Sequence, residues 1–345
     1  MTQARVLSHG TLHCFPAGLR NERDELINIE VSAALYDGKR LVLASDKPIP
    51  GPGRSAVFAV PMGEATPDDS QLEYFTAATI MGATKYEDFA LTADGRHVLA
   101  TTGFDRIDDA SHELNAYNHL LIWPLNDPDA AQVVDPDPRD GVMGSLELRA
   151  KLGNAIGTAY YKIEGLAAIP GERGDGLLLF GVREQGNDFD DFNYSCRVVG
   201  AHYQVNSAGN LEFIDELRDL YEFDPSRYDG VKHVCGLSSL EYDRFNDRLY
   251  LLTSFESEDD GIGGYLWVIS LEDFAAGNAP RLVDDERGLP LIFEHKAEGL
   301  AVIDRQRLFI AYDNDRHMGL GSFDERDERR ACEAPYTVLE MRDDG

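Results

Sequence analysis

Four glutamates, Glu30, Glu87, Glu164 and Glu298, each open a short apolar segment of one kind, with Asn28, Lys85, Lys162 and Lys296 two places before them. A fifth copy, His233-Val234-Cys235, has cysteine at the glutamate position. Carboxylates that meet around one axis cannot all stay ionised without compensation: they raise one another's pKa or recruit a cation. A hard divalent ion is one solution, because calcium accepts roughly six to eight oxygens in loose geometry. This makes Glu30, Glu87, Glu164 and Glu298 candidate metal ligands. The second solution is internal. Strand residues two apart face the same side, so the lysines can neutralise the glutamates and clamp neighbouring segments with no metal. Direct proton transfer by these glutamates is a third use of the same convergence.

Lys85, Lys162, Arg183, His233, Lys296 and Arg316 are the cations placed to meet a substrate anion, with Asp313 in the same loop cluster. Basic residues gathered at one mouth of an acidic protein select phosphate or carboxylate; ion pairs with neighbouring carboxylates are the alternative. Other chemistries lack their signatures. Gly236-Leu237-Ser238-Ser239-Leu240 has no second glycine for a nucleophile elbow. Asp313-Asn314-Asp315 starts like an EF-hand loop but has neither the glycine nor the terminal glutamate.

The elements that position these residues follow from the repeat. Copies begin at 28, 85, 162, 233 and 296, a spacing too irregular for a solenoid but suited to propeller blades with variable loops. Each copy supports short strands separated by turn signals. Asp37-Gly38 and Asp94-Gly95 are tight-hairpin dipeptides in blades one and two. The fourth strand of blade two is expected at Leu146–Lys151, and helix at Phe213–Phe223 and Leu271–Ala276. Blade five lacks a fourth strand, which the segment 5–14 can donate, closing the ring and leaving few free edges. The expectation is an all-β, five-bladed β-propeller forming a single domain over 1–345, with six blades as the alternative. Inner strands then line a central channel. The ends of second strands lie on the same face as inner-strand starts, so Asp46, Lys47, Asp105, Arg183 and Asp313 join the glutamates there.

Composition narrows the partners. The net charge is -30, with seven lysines and 25 arginines, which disfavours nucleic acid and anionic membranes, since phosphate binding needs clustered cations. No run of about 18 apolar residues exists and residues 1–5 carry no apolar leader. Four scattered cysteines make no disulfide framework. A cytoplasmic protein is expected.

Cys235-Gly236-Leu237-Ser238-Ser239-Leu240, Lys296-Ala297-Glu298-Gly299-Leu300-Ala301 and Glu164-Gly165-Leu166-Ala167 resemble blade openings of the phytase-like esterase domain family and of related bacterial proteins with Glu-Gly-Leu-Ala repeats. A weaker likeness is to the calcium-dependent apyrases. The resemblance implies hydrolysis of a phosphate or carboxylic ester, with calcium as cofactor. The function expected is metal-dependent hydrolysis of a small anionic ester, foremost a phosphoester, at the funnel. A non-catalytic propeller binding a small ligand or protein on that face is the alternative.

Overall fold

The computed structural model describes residues 2–106, 112–139, 142–171, 174–257, 261–314, 317–320 and 326–343. Arg316, Asp315 and the acidic segment 258–260 lie outside the described residues. Five antiparallel sheets form the blades of a β-propeller. Blade one comprises Val31–Tyr36, Arg40–Ser45, Val57–Pro61 and Glu73–Tyr74; blade two comprises Tyr86–Leu91, His97–Thr102, Leu120–Pro124 and Gln132–Val133. Blade three uses Tyr160–Pro170, Gly176–Asp188 and Asp191–Val205, with Leu211–Phe213 and Arg218–Glu222 sharing its outer edge. Blade four has Gly236–Asp243, Arg248–Ser257 and Gly261–Ser270, edged by Arg281–Leu282 and Ile292–Phe293. Blade five has Ala297–Val302, Arg307–Tyr312 and Glu333–Asp343. Each inner strand packs against the inner strands of both neighbouring blades, which closes the circle.

The donated strand is Thr2–His13, paired antiparallel with Glu333–Asp343 from Thr2↔Asp343 to His13↔Glu333. It covers the last free edge, the liability of any open sheet. Just past it the Cys14 N–H donates to the Cys332 carbonyl at 2.8 Å, so two of the scattered cysteines are cross-strand neighbours. Between blades the strands interdigitate apolar side chains. Leu43 and Phe58 of blade one, for example, share a buried cluster with Ala301, Phe309 and Val338 of blade five. The hairpin dipeptides act as expected: Gly38 and Gly95 take φ of 97° and 71°, the left-handed region only glycine enters at no steric cost.

Two elements differ from the sequence reading. Leu146–Ile156 is an α-helix, and the fourth strand of blade two is Gln132–Val133. Leu148, Leu152 and Ile156 recur every four residues and are buried together, a helical stripe, and Gly157 ends it in the left-handed conformation. Phe213–Phe223 is not helical. It spans two short edge strands, because the exposed third strand of blade three offers its backbone for pairing at both places. Leu271–Ala275 is a short helix as read.

Candidate functional site

Every inner strand carries a β-bulge at the same level. The register steps from Val31↔Ser45 to Ala33↔Ala44, from Tyr86↔Thr102 to Asp88↔Thr101, and from Ile163↔Val182 to Gly165↔Gly181. Blade four steps from Leu237↔Thr253 to Ser239↔Leu252, and blade five from Ala297↔Tyr312 to Gly299↔Ala311. The extra residues are Ser32, Glu87, Glu164, Ser238 and Glu298. A bulge re-aims a side chain and sharpens the local twist. Glu87, Glu164 and Glu298 thereby gather as a buried group at the channel.

This register moves two members of the anticipated ring. The amides of Asp46, Gly103 and Asp313 donate to the carbonyls of Glu30, Lys85 and Lys296 at 2.9, 3.2 and 3.0 Å. Glu30 is therefore level with the lysines, and the bulge residue of blade one is Ser32. In blade four Ser238 holds the bulge and gives its hydroxyl proton to the Ala297 carbonyl at 2.8 Å. Cys235 precedes the bulge by three residues and is buried in an apolar cluster with Leu237 and Tyr265.

The lysines bind the glutamates tightly. Lys85 Nζ lies 2.7 Å from Asp105 and 3.7 Å from Glu87; Lys162 pairs with Glu164 and stands 3.4 Å from Glu87. Lys296 lies 2.8 Å from Glu298 and 3.9 Å from Asp313. Arg183 is buried and held by Glu164 at 3.0 Å, by Ser254 and by the Tyr194 ring, which makes it a strut for Glu164. His233 stacks on Phe255 with 3.8 Å between ring centroids, away from the glutamates' ion pairs. Four of the chain's seven lysines (47, 85, 162 and 296) make these pairs.

A second acidic group lies on the same face. Glu30, Asp46 and Asp313 present carboxylate oxygens all within 4.8 Å of one another. Lys47 pairs with Glu30 from a half-exposed position. Glu30 and Asp46 are hydrogen-bonded to each other, which needs a shared proton. Oδ1 of Asp46 and Oδ1 of the adjoining Asn314 are buried and accept no hydrogen bond among the described residues. Oxygen-only donors with unused lone pairs fit a hard cation such as calcium or magnesium, and these residues could hold one. Asn314 is fixed by its amide, which donates to His295 Nδ1 at 2.7 Å.

Environment splits the carboxyls. Burial, with Asp46 and Asp313 adjacent, pushes Glu30 up to about 10, and burial raises Asp46 as well. Burial raises Glu87 well above the usual range against the pull of Lys162. For Glu164 burial is outweighed by Arg183 and Lys162, which hold it down to about 2. Glu298 is raised by burial, opposed by Lys296, to about 7.

Beneath the bulges sits a residue the sequence reading missed. Asp88 follows the bulge where other blades have Ala33, Gly165, Ser239 and Gly299. Fully buried, its Oδ2 accepts from Leu166 N at 2.8 Å, Leu240 N at 3.1 Å and Ser239 Oγ at 3.0 Å. It bridges blades two, three and four and floors the funnel. An acid inside an otherwise apolar inner strand was the available signal.

No protein-family model matches the chain, and no curated protein matches it. Solved structures are similar in architecture. A putative exo-β-1,3-galactanase from Bifidobacterium bifidum has 10% identity and a TM-score of 0.45 over 98% of this chain and 94% of its own. The GH62 α-L-arabinofuranosidase catalytic domain of Coprinopsis cinerea has 10% identity and 0.43 over 97% of both chains. Pseudomonas fluorescens PhoX, in complex with the transition-state analogue vanadate, has 9% identity and 0.39 over 98% and 95%. Likeness at this level carries no activity across.

Proposed function

We propose that the funnel face hydrolyses a small anionic ester, with a phosphoester as the substrate class, in a reaction dependent on a divalent cation held by Glu30, Asp46 and Asp313. The Glu30–Asp46–Asp313 convergence carries this reading, because three acids crowded together, with Glu30 and Asp313 buried, are an arrangement a cation relieves. Calcium suits the donor set, and such an ion polarises an ester and acidifies bound water.

The chain's own residues supply the rest. Lys47, the most exposed cation of the group, meets the anionic head, with Lys296 and Lys162 behind it. Glu298, raised to about 7 by burial, is poised to take a proton from water near neutral pH. Arg183 and Lys85 hold Glu164, Glu87 and Asp105 in place. The floor made by Asp88 keeps the substrate at the mouth.

The test is a thermal melt with calcium or EDTA, followed by a panel of phosphate monoesters, carboxylic esters and lactones. Calcium raises the midpoint of the wild type, and Glu30→Gln abolishes that rise. Glu298→Gln keeps the rise and loses turnover. No shift at millimolar calcium ends the metal reading. A retained shift with every substrate inert leaves a non-catalytic ligand-binding propeller.

A further inference from the structure

The opposite mouth of the channel holds a different kind of site. Three positions after each bulge the inner strands carry Leu35, Ala90, Ala167 and Ala301, all buried and apolar, but blade four carries Glu241. The residue is 7% exposed. Its carboxylate accepts from the Val302 backbone amide of blade five, and among the described residues it has no ion pair. A buried carboxyl in this state takes up either a proton or a cation.

Glu241 lines a cavity of about 180 Å³ whose walls come from blades one, two, four and five. That is room for about six water-sized groups. Tyr36, Tyr242 and Phe245 line the same cavity, and Tyr242 is fixed by its hydroxyl donating to Asp247 at 2.9 Å. Aromatic rings beside one buried carboxylate attract an organic cation: the ring faces are electron-rich, and the apolar body is desolvated with the charge. The Arg244 guanidinium at the rim reaches over Gly95 of blade two; its charge acts on Glu241, but among the described residues the two form no ion pair.

We propose that this axial cavity binds a small primary ammonium compound with a short apolar body, its charge on Glu241 and its chain against Tyr36, Tyr242 and Phe245. The site is independent of the funnel: it lies across the Asp88 floor and uses none of the lysine-bound acids.

The test is calorimetric titration of the full chain with n-butylammonium chloride and with n-butanol. It is run near pH 9, above the value of about 8 to which burial raises Glu241. Arg244 lowers that value and Asp243 raises it; Asp37 shares the cavity, and Asp88 lies within electrostatic reach. One molecule of butylammonium binds with a dissociation constant on the order of 1 mM or tighter, and butanol binds at least tenfold more weakly. Glu241→Gln weakens butylammonium at least tenfold, while Glu30→Gln leaves it unchanged. If Glu241→Gln does not fold, the wild type at pH 6 provides the same comparison, since protonation of Glu241 then costs at least tenfold in affinity. Equal binding of butanol, no saturation, or affinity indifferent to both Glu241→Gln and pH overturns the proposal.

Discussion

Replacing Asp88 by alanine tests whether the five blades are tied at the axis or only around the rim. The substitution deletes both carboxylate oxygens and orphans four donors, the amides of Phe89, Leu166 and Leu240 and the hydroxyl of Ser239. Each orphaned buried donor costs about 1–3 kcal/mol. Part of that is returned because the carboxyl no longer has to be buried, so a net loss of about 3–6 kcal/mol is expected. A chain of 345 residues unfolds with an entropy near 0.7 kcal/mol/K, at roughly 2.1 cal/mol/K per residue. The melting temperature should therefore fall by about 4–8 °C. Asp88→Asn retains one oxygen for the three donors but turns an amide towards the Phe89 N–H, which the other carboxylate oxygen accepts at 2.9 Å. It should lose about 1–3 °C. Scanning calorimetry gives both numbers, and hydrogen exchange should quicken specifically at Leu166 and Leu240. An alanine variant that melts within about 1 °C of wild type, with those amides still protected, would show that the carboxylate is a passenger.

Lys162→Met should destabilise by about 3–5 kcal/mol, because it leaves Glu87 and Glu164 buried with one fewer cation; denaturant titration reads this. The cation-free protein should lose stability as pH rises. Glu30 and Glu298 bind protons more tightly folded than unfolded, so their contribution is full below about 4.5 and is lost through about 7 for Glu298 and about 10 for Glu30. Glu164 acts oppositely, with stability present above about 4.5 and lost as pH falls towards about 2. Melts of the EDTA-treated protein across pH 3–10 check both limbs, and Glu30→Gln should flatten the alkaline one. Gly165→Ala should cost about 1–3 kcal/mol in the same denaturant assay, since its Cβ would meet Leu240 Cγ at 2.9 Å and Gly181 Cα at 3.2 Å.

The blades were legible because each inner strand repeats an apolar phrase bounded by turn dipeptides, and ring closure followed from counting strands. Register was harder. In blade one, Asn28-Ile29-Glu30 and Glu30-Val31-Ser32 are both polar-apolar-polar triplets. Strand alternation has period two, so a slip of two residues preserves every face and leaves no hydrophobic penalty to expose it. Blade four slipped by three, which does change faces, and Val234 accordingly stands 75% exposed. The anchoring signal was the small residue after each bulge, Ala33, Gly165, Ser239 or Gly299, needed where inner strands approach most closely. The one departure from it, Asp88, is the axial tie. The approach of Asp46 to Glu30 was legible as the end of a second strand meeting the start of an inner one, and the backbone ladder carries it one residue past Val31↔Ser45.

Because Thr2–His13 pairs with Glu333–Asp343, the first and the last strand of the propeller complete one sheet. At roughly 5–20 residues per second of synthesis, the 320-position separation of Glu333 from His13 takes about 15–60 s to appear. Throughout that time the opening segment lacks its main partner strand, Glu333–Asp343, while blades one to four can assemble from local hairpins. The final zipping is the most non-local contact the molecule makes, the kind whose loop-closure entropy slows folding. Folding speed should thus depend on this single seam far more than on any individual blade.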